Sequence, residues 1–87
     1  MAKTRTEVTP ADIDKSFKIC KEKLVSRLNK KGWDGFIGPH ESAGIIQEEV
    51  FEMWDEVRNN NKVAFREELI DIVVAGMFAI ASLDAQT

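Results

Sequence analysis

Residues 47–57 read QEEVFEMWDEV and residues 65–76 read FREELIDIVVAG. Each stretch carries two acids three residues apart: Glu49 and Glu52 in the first, Glu68 and Asp71 in the second. This spacing places both acids of a pair on one side of a helix. The second pair opens a segment that is otherwise almost wholly apolar. A desolvated carboxylate is costly unless it is paired or bound to a cation. The presence of these acids in an apolar segment therefore has to be explained by such a partner.

The sequence on both sides of these stretches predicts an all-α chain of three helices. Thr9 followed by Pro10 is a helix start signal, with a capping side chain and proline in the first turn. The turn Asn59–Asn61 makes the second and third helices an antiparallel hairpin. The predicted helices run from Pro10 to about Gly32, from Pro39–Ser42 to Arg58, and from about Val63 to Leu83.

The composition bounds the class of protein. The 87 residues fit one small domain, with residues 1–8 as a flexible tail and residues 9–87 as a single helical domain. A net charge of −3 argues against a nucleic-acid partner. The chain has no apolar run long enough to span a membrane and no apolar signal-peptide core, so we expect a cytoplasmic protein without a membrane partner. Cys20 is alone, which excludes an internal disulfide.

The four acids occupy the same edge of an apolar stripe on each helix of the hairpin. Packing the two stripes together brings the acidic edges face to face, and carboxylates that close repel or become protonated unless a cation neutralises them. Mg²⁺ prefers oxygen ligands and is the usual cation beside phosphates, so the pattern predicts a Mg²⁺ site open to a polyphosphate. The stripe of the third helix that should pack on the second contains Phe65, Leu69, Ile72, Gly76, Ile80 and Leu83.

The order of these acids resembles a known metal-binding signature. Residues 48–52, EEVFE, followed by residues 68–71, ELID, are similar to the motif of the MazG-like, all-α nucleoside triphosphate pyrophosphohydrolases. The resemblance covers residues 40–83. It implies a Mg²⁺-dependent enzyme, with Mn²⁺ as a substitute, that cleaves a (d)NTP to (d)NMP and pyrophosphate, as in house-cleaning of the nucleotide pool. The implied metal ligands are Glu49, Glu52, Glu68 and Asp71.

Two of these acids are candidates for the catalytic base. A carboxylate that the metal does not fully occupy can orient or deprotonate the attacking water, and Glu52 and Glu49 are equal alternatives for that role. Glu48 matches the first motif position but turns away from the cluster, and Glu56 lies one helical turn beyond Glu52. We expect Glu48 and Glu56 around the metal ligands, with Glu56 also open as an extra ligand.

Several residues outside the motif are candidates for substrate binding. Trp33 and Phe36, in the glycine-rich loop of residues 32–39, could stack on a nucleobase, with packing of the loop onto the bundle as the alternative. Four basic residues could contact phosphates, with ordinary solvated surface charge as the alternative. They are Lys31, Arg58, Lys62 and Arg66.

The third helix is apolar nearly all round, which predicts a homo-oligomer. One face is left over after the helix packs on its hairpin partner, and large exposed apolar patches mark interfaces. We expect a C2 dimer or a dimer of dimers that completes a four-helix-type bundle. An alternative function stays open: a non-catalytic helical module of the same fold that binds a nucleotide or a protein. The left-over face contains Ile70, Val73, Val74, Met77 and Phe78.

Overall fold

The computed structural model describes residues 4–87 and contains three α-helices and no strand within that range. The helices are α1 (Pro10–Lys31), α2 (Pro39–Arg58) and α3 (Lys62–Ala85), which confirms the predicted all-α chain. Of the tail predicted at residues 1–8, residues 1–3 lie outside the described residues, and residues 4–8 are exposed without regular secondary structure. Among residues 4–87, no helix combines the length and apolarity that crossing a membrane requires.

Helix α1 begins and ends at the predicted signals. Thr9 and Asp12 form a capping box: the Thr9 hydroxyl accepts from the Asp12 N–H at 3.2 Å, and the Thr9 N–H donates to the Asp12 carboxylate at 2.9 Å. At the other end, Gly32 adopts a φ of 108° and donates its N–H to the Leu28 carbonyl at 2.8 Å. A residue with a side chain would be strained at that φ, so glycine is needed where the helix stops.

The Asn59–Asn61 turn closes α2 and opens α3 within three residues. Asn60 has a φ of 52°, and its N–H donates to the Val57 carbonyl at 3.2 Å, while the Asn61 N–H donates to the Glu56 carbonyl at 3.1 Å. This pair of bonds is a Schellman motif. The Asn61 side chain then caps α3 by accepting from the Ala64 N–H at 3.0 Å. The hairpin is therefore held by local hydrogen bonds at its bend.

Helix α3 is the central element of the fold. It packs against both α1 and α2, whereas α1 and α2 make no close backbone approach to each other in the described chain. The core lies between α1 and α3, where Cys20, Ile70 and Val74 are buried and Val74 is only 2% exposed. Ile70 and Val74 were expected to face a second chain. This expectation is wrong for both residues, because α1 covers them.

The stripe of α3 that was expected to pack on α2 lies partly at the surface instead. Leu69, Ile80 and Leu83 are 39%, 63% and 47% exposed, and Val73 beside them is 47% exposed. These four residues recur at helical spacing and are called the outer stripe of α3 below. Because α3 is apolar on every side, its periodicity could not show which side faces α2. The helix is rotated so that Ala75 lies inside and the outer stripe faces solvent.

The glycine-rich loop between α1 and α2 is fastened to the last turns of α3. The Phe36 N–H donates to the buried Ser82 hydroxyl at 3.0 Å, and the Gln86 side chain donates to the Phe36 carbonyl at 3.0 Å. The Phe36 ring meets the edge of Phe78 with centroids 4.9 Å apart. A Cβ at Gly35 would lie 2.9 Å from the Ser82 hydroxyl, so this approach requires glycine.

Candidate metal centre and adjoining cavity

Three of the four predicted metal ligands meet in the folded chain. Glu49 on α2 and Glu68 and Asp71 on α3 each offer a carboxylate oxygen, and these atoms lie within 4.8 Å of one another. The three residues, called the acid trio below, are all half-buried. The hairpin thus joins the two acidic pairs across the helix interface, at a spacing at which one cation could touch all three residues.

Two oxygens of the acid trio lack a hydrogen-bond partner. The Oε2 atoms of Glu49 and Glu68 are buried and meet no donor among the described residues. Burial raises the pKa of Glu68 to about 7, helped by the Glu49 carboxylate and by the charge of Glu52. Burial likewise raises the pKa of Glu49. Buried oxygens without donors are costly, and a set of carboxylate oxygens is the ligand type that hard divalent cations prefer. The acid trio therefore fits a Mg²⁺ or Mn²⁺ ion.

Helix α1 brings two cations to the acid trio that sequence reasoning missed. The Lys23 Nζ lies 2.8 Å from Asp71 Oδ1, and the Arg27 Nη2 donates to the same oxygen at 3.0 Å. Lys23 also lies 3.5 Å from Glu67, and its hydrogen bond to Asp71 raises the pKa of Lys23. The signal was available, because Lys23 and Arg27 are four residues apart and therefore lie on one side of α1.

The remaining predicted acids lie outside the acid trio. Glu52 is exposed, although its charge reaches Glu68 and contributes to the raised pKa there. Glu48 is exposed as well and is not one of the three acids that converge. Glu56 is half-buried and lines a small cavity of about 120 Å³ at the hairpin turn together with Lys62. The structure therefore separates Glu56 and Lys62 from the three acids that converge.

A cavity of about 350 Å³ lies about one helical turn from the acid trio, and none of the three acids lines it. Arg27 lines it while bonding to Asp71, and Ile45, one helical turn before Glu49, lies on its α2 side. Asp34 is the one carboxylate in its lining. Most other lining residues are apolar, including Leu24, Leu28, Phe36, Val74, Ala75 and Phe78. An apolar cavity with a few polar groups, next to an acidic cluster, has the features of a small-molecule site.

The two loop aromatics have different surroundings. Trp33 is 62% exposed, donates its indole N–H to Asn29 at 3.1 Å, and lines a separate open groove of about 670 Å³ between α1 and α3. Phe36 lines both this groove and the 350 Å³ cavity. Phe36 is therefore the aromatic that reaches the cavity beside the acids, and the structure does not bring Trp33 there.

Three of the four predicted phosphate-binding residues lie elsewhere. Arg58 pairs with Asp55 near the hairpin turn, and Arg66 lies 3.8 Å from the exposed carboxylate of Glu67. Lys62 belongs to the small cavity at the turn, as described above. Lys31 alone of the four lines the 350 Å³ cavity. The basic residues beside the acid trio are thus those of α1.

Comparisons of the chain with protein-family models, with curated proteins and with solved structures find no match in any of the three. The resemblance to the MazG-like enzymes consequently rests on the spacing of the acidic residues.

Proposed function

We propose that this chain is a Mg²⁺-dependent nucleoside triphosphate pyrophosphohydrolase that converts a (d)NTP into (d)NMP and pyrophosphate. The observation that carries the proposal is the acid trio, with ligand atoms within 4.8 Å of one another and two buried oxygens without donors. The 350 Å³ cavity beside it supports a ligand with an apolar part and a charged part. A nucleoside triphosphate has both.

Glu49, Glu68 and Asp71 would hold the cation, Mg²⁺ or Mn²⁺. A divalent cation bound there supplies neutralisation of phosphate charge and makes water a stronger acid. No P-loop pattern occurs in the sequence, so the phosphates would be bound through the acids and nearby basic side chains.

The cavity would take the nucleoside. Phe36 offers a ring for stacking and Asp34 offers an acceptor for a sugar hydroxyl or a base amino group. Lys31 lies in the same wall and adds a positive charge. Arg27 lines the cavity and also donates to Asp71 of the acid trio. With the nucleoside in the cavity, the triphosphate would therefore extend along Arg27 toward the acid trio.

Glu52 is our candidate for the general base, with Glu49 as the alternative. Its carboxylate lies outside the acid trio but close enough to act on Glu68 through its charge. It is exposed and so is accessible to water. In the step proposed, a water oxygen bonds to the α phosphorus, Glu52 accepts a proton of that water, and the bond from the α phosphorus to the α–β bridging oxygen breaks as pyrophosphate leaves.

The experiment that tests the reaction is a panel of NTPs and dNTPs with Mg²⁺, scoring nucleoside monophosphate and pyrophosphate separately. Pyrophosphate equal in amount to monophosphate is expected. Orthophosphate with nucleoside diphosphate would reject the proposed bond. Metal and nucleotide binding without turnover would favour the non-catalytic binding module instead.

We also propose that the chain works as a homo-oligomer. The outer stripe of α3 is apolar and exposed, and Trp54 on α2 is 51% exposed as well. A stripe recurring at helical spacing can pack against its own copy about a two-fold axis, which would build the four-helix-type bundle expected from the sequence. A dimer is the simplest closed form, and a dimer of dimers is the next.

A further inference from the structure

We propose that Lys23 and Arg27 of α1 bind the triphosphate at this site: they contact Asp71 in this structure, and they pass to phosphate oxygens when a divalent cation binds Asp71. The inference rests on the proposed function and deepens it, because it assigns the polyphosphate part of the site to two residues that the acidic motif does not contain.

Both cations are bound to one oxygen and retain free donors. Lys23 Nζ and Arg27 Nη2 lie 2.8 Å and 3.0 Å from Asp71 Oδ1. A guanidinium has five N–H donors and an ammonium has three, so a single shared oxygen leaves most of them unused. The Arg27 side chain is 40% exposed, which leaves its remaining donors accessible to a ligand. The guanidinium of arginine can bind two phosphate oxygens at once through two parallel N–H donors. A single carboxylate oxygen does not use that geometry.

Metal binding changes what surrounds the two cations. A divalent ion held by the acid trio would stand beside Lys23 and Arg27, because all of them share Asp71. Like charges at this separation repel, so the metal and the two side chains compete for the same carboxylate. Phosphate oxygens placed between them remove the conflict, since phosphate is negative and binds to metal and cations at once. With metal alone, the positive charges of the ion, Lys23 and Arg27 exceed what Asp71 neutralises. The negative charge of a polyphosphate would neutralise the remainder.

The positions of the two residues also give the ligand a direction. Arg27 bonds to Asp71 and lines the 350 Å³ cavity, so it lies where a phosphate attached to the nucleoside would sit. Lys23 is one turn earlier on α1 and reaches Glu67, away from the cavity. Arg27 would contact the α phosphate and Lys23 the β and γ phosphates.

A purely structural role is the competing explanation. In that case Lys23 and Arg27 only fasten α1 to α3. The buried contact of Cys20 with Ile70 and Val74 also joins these helices, so their docking does not depend on the two ion pairs alone. The two explanations predict opposite signs in a metal titration, which makes them separable.

The test compares Lys23→Met and Arg27→Met with the wild type in two calorimetric titrations. The first uses Mn²⁺ alone, and the second uses a Mg²⁺ complex of a nucleoside triphosphate whose α–β bridge is a non-hydrolysable imido group. We expect each substitution to tighten Mn²⁺ binding by about two- to fivefold, because the competitor for Asp71 is gone. We expect it to weaken analogue binding by about tenfold or more, because a charge-assisted hydrogen bond is lost.

Lys18→Met is the matched control, since Lys18 carries the same charge on α1 and, among residues 4–87, pairs only with Glu22 at the surface. It removes the same net charge and should change neither titration. Arg27→Lys should restore part of the analogue affinity. If Mn²⁺ and analogue binding weaken together, in step with a lower melting temperature, the role is structural and the inference is overturned. If the analogue binds to Arg27→Met and Lys23→Met as it does to the wild type, the inference also fails. If the wild type binds no divalent cation, the proposed function itself fails.

Discussion

Glu49 on α2 and Glu68 on α3 each place one carboxylate oxygen in a buried position where no donor of the described chain meets it. Asp71 stands beside them and differs in having two basic partners from α1. The three acids have ligand oxygens within 4.8 Å of one another, yet only Asp71 forms ion pairs with basic side chains of the described chain. A site of this kind is disfavoured without a cation and ready to receive one.

Replacing members of the acid trio should remove metal binding without unfolding the chain. Glu49→Gln and Asp71→Asn are expected to abolish detectable Mn²⁺ binding and to lower turnover of the preferred NTP by about 100-fold or more. Circular dichroism should show unchanged helix content. Glu48→Gln is the matched control, because Glu48 is an exposed acid of the same motif outside the acid trio. Retained activity in Glu49→Gln and Asp71→Asn would reject the site.

Replacing Glu52 tests whether the general base and the metal ligands are different residues. Since its carboxylate lies outside the acid trio, Glu52→Gln should leave Mn²⁺ affinity within about threefold of the wild type while turnover falls by about 100-fold or more. Single-turnover assays at saturating metal would measure this difference. If Mn²⁺ affinity and turnover fall together, Glu52 is a metal ligand and Glu49 becomes the candidate base.

The stability of the metal-free chain should fall as the pH rises toward neutrality. Burial and two neighbouring acids hold the pKa of Glu68 at about 7, above its ordinary value of 4.5. Between these values the folded chain binds more protons than the unfolded chain, so the free energy of unfolding decreases with rising pH and levels off above about pH 7. Chemical denaturation in EDTA across this range would measure the slope.

Two changes should make the free energy of unfolding depend less on pH, each for a different reason. Glu68→Gln removes the titrating group, so its stability should depend less on pH than that of the wild type. Mg²⁺ binds the deprotonated form, so it should stabilise the wild type more above pH 7 than below it. A wild-type profile that rises through neutral pH in EDTA would contradict the raised pKa of Glu68.

The contact between the loop and α3 should contribute measurably to stability. Ser82→Ala removes an acceptor for the Phe36 N–H and a donor to the Phe78 carbonyl, and should cost about 1–3 kcal/mol in the free energy of unfolding. Ser16→Ala is the control, because the Ser16 hydroxyl also bonds to a helical carbonyl, at 2.8 Å, but is exposed. It should change stability by less than about 0.5 kcal/mol.

Gly35 and Ser82 should be energetically coupled. Gly35→Ala places a methyl group 2.9 Å from the Ser82 hydroxyl oxygen, so the loop must shift. In a Ser82→Ala background that oxygen is gone, and the same substitution should cost less. A double-mutant cycle with urea unfolding would measure the coupling. If the effects of the two substitutions on the free energy of unfolding are additive, the loop does not contact Ser82 in solution.

The outer stripe of α3 should hold the oligomer together. Ile80→Glu is expected to convert the assembly to monomers, because a charge at a packed apolar interface is left without a partner. Val63→Glu is the control, since Val63 is an exposed apolar residue of the same helix outside the stripe. Sedimentation velocity at low micromolar concentration would distinguish the species. A monomeric wild type would reject the oligomer.

The ends of the helices were predictable because local chemistry determines them. Thr9 with Asp12, Gly32, and the Asn59–Asn61 turn each act on backbone groups a few residues away, so their effect could be inferred from sequence neighbours alone. The convergence of three of the four acids was predictable for a related reason. Their spacing within each helix and the short turn between the helices leave few ways to arrange them.

The side of α3 that meets each neighbour was not predictable. Leu69 and Val74 are equally apolar, yet one lies at the surface and the other in the core. Periodicity identifies a buried face only where a polar face contrasts with it. The position of α1, which brings Arg27 to Asp71, depends on that same choice and on a loop held by Ser82 across the fold. The spacing of Lys23 and Arg27 indicates only that they share one side of α1, and the acid that this side meets depends on long-range contacts that leave no spacing signal.

The Schellman turn at Asn60 also bears on the order in which the chain folds. It links α2 to α3 through local hydrogen bonds, so Glu49, Glu68 and Asp71 can converge from one short stretch of chain while α1 is still undocked. Contacts between residues near in sequence form early, because little loop entropy is lost in closing them. Repulsion among the acids would then slow folding, before the Lys23 and Arg27 contacts of α1 could offset it. A divalent cation should accordingly speed refolding, and not merely slow unfolding, which would make the metal a participant in building the fold.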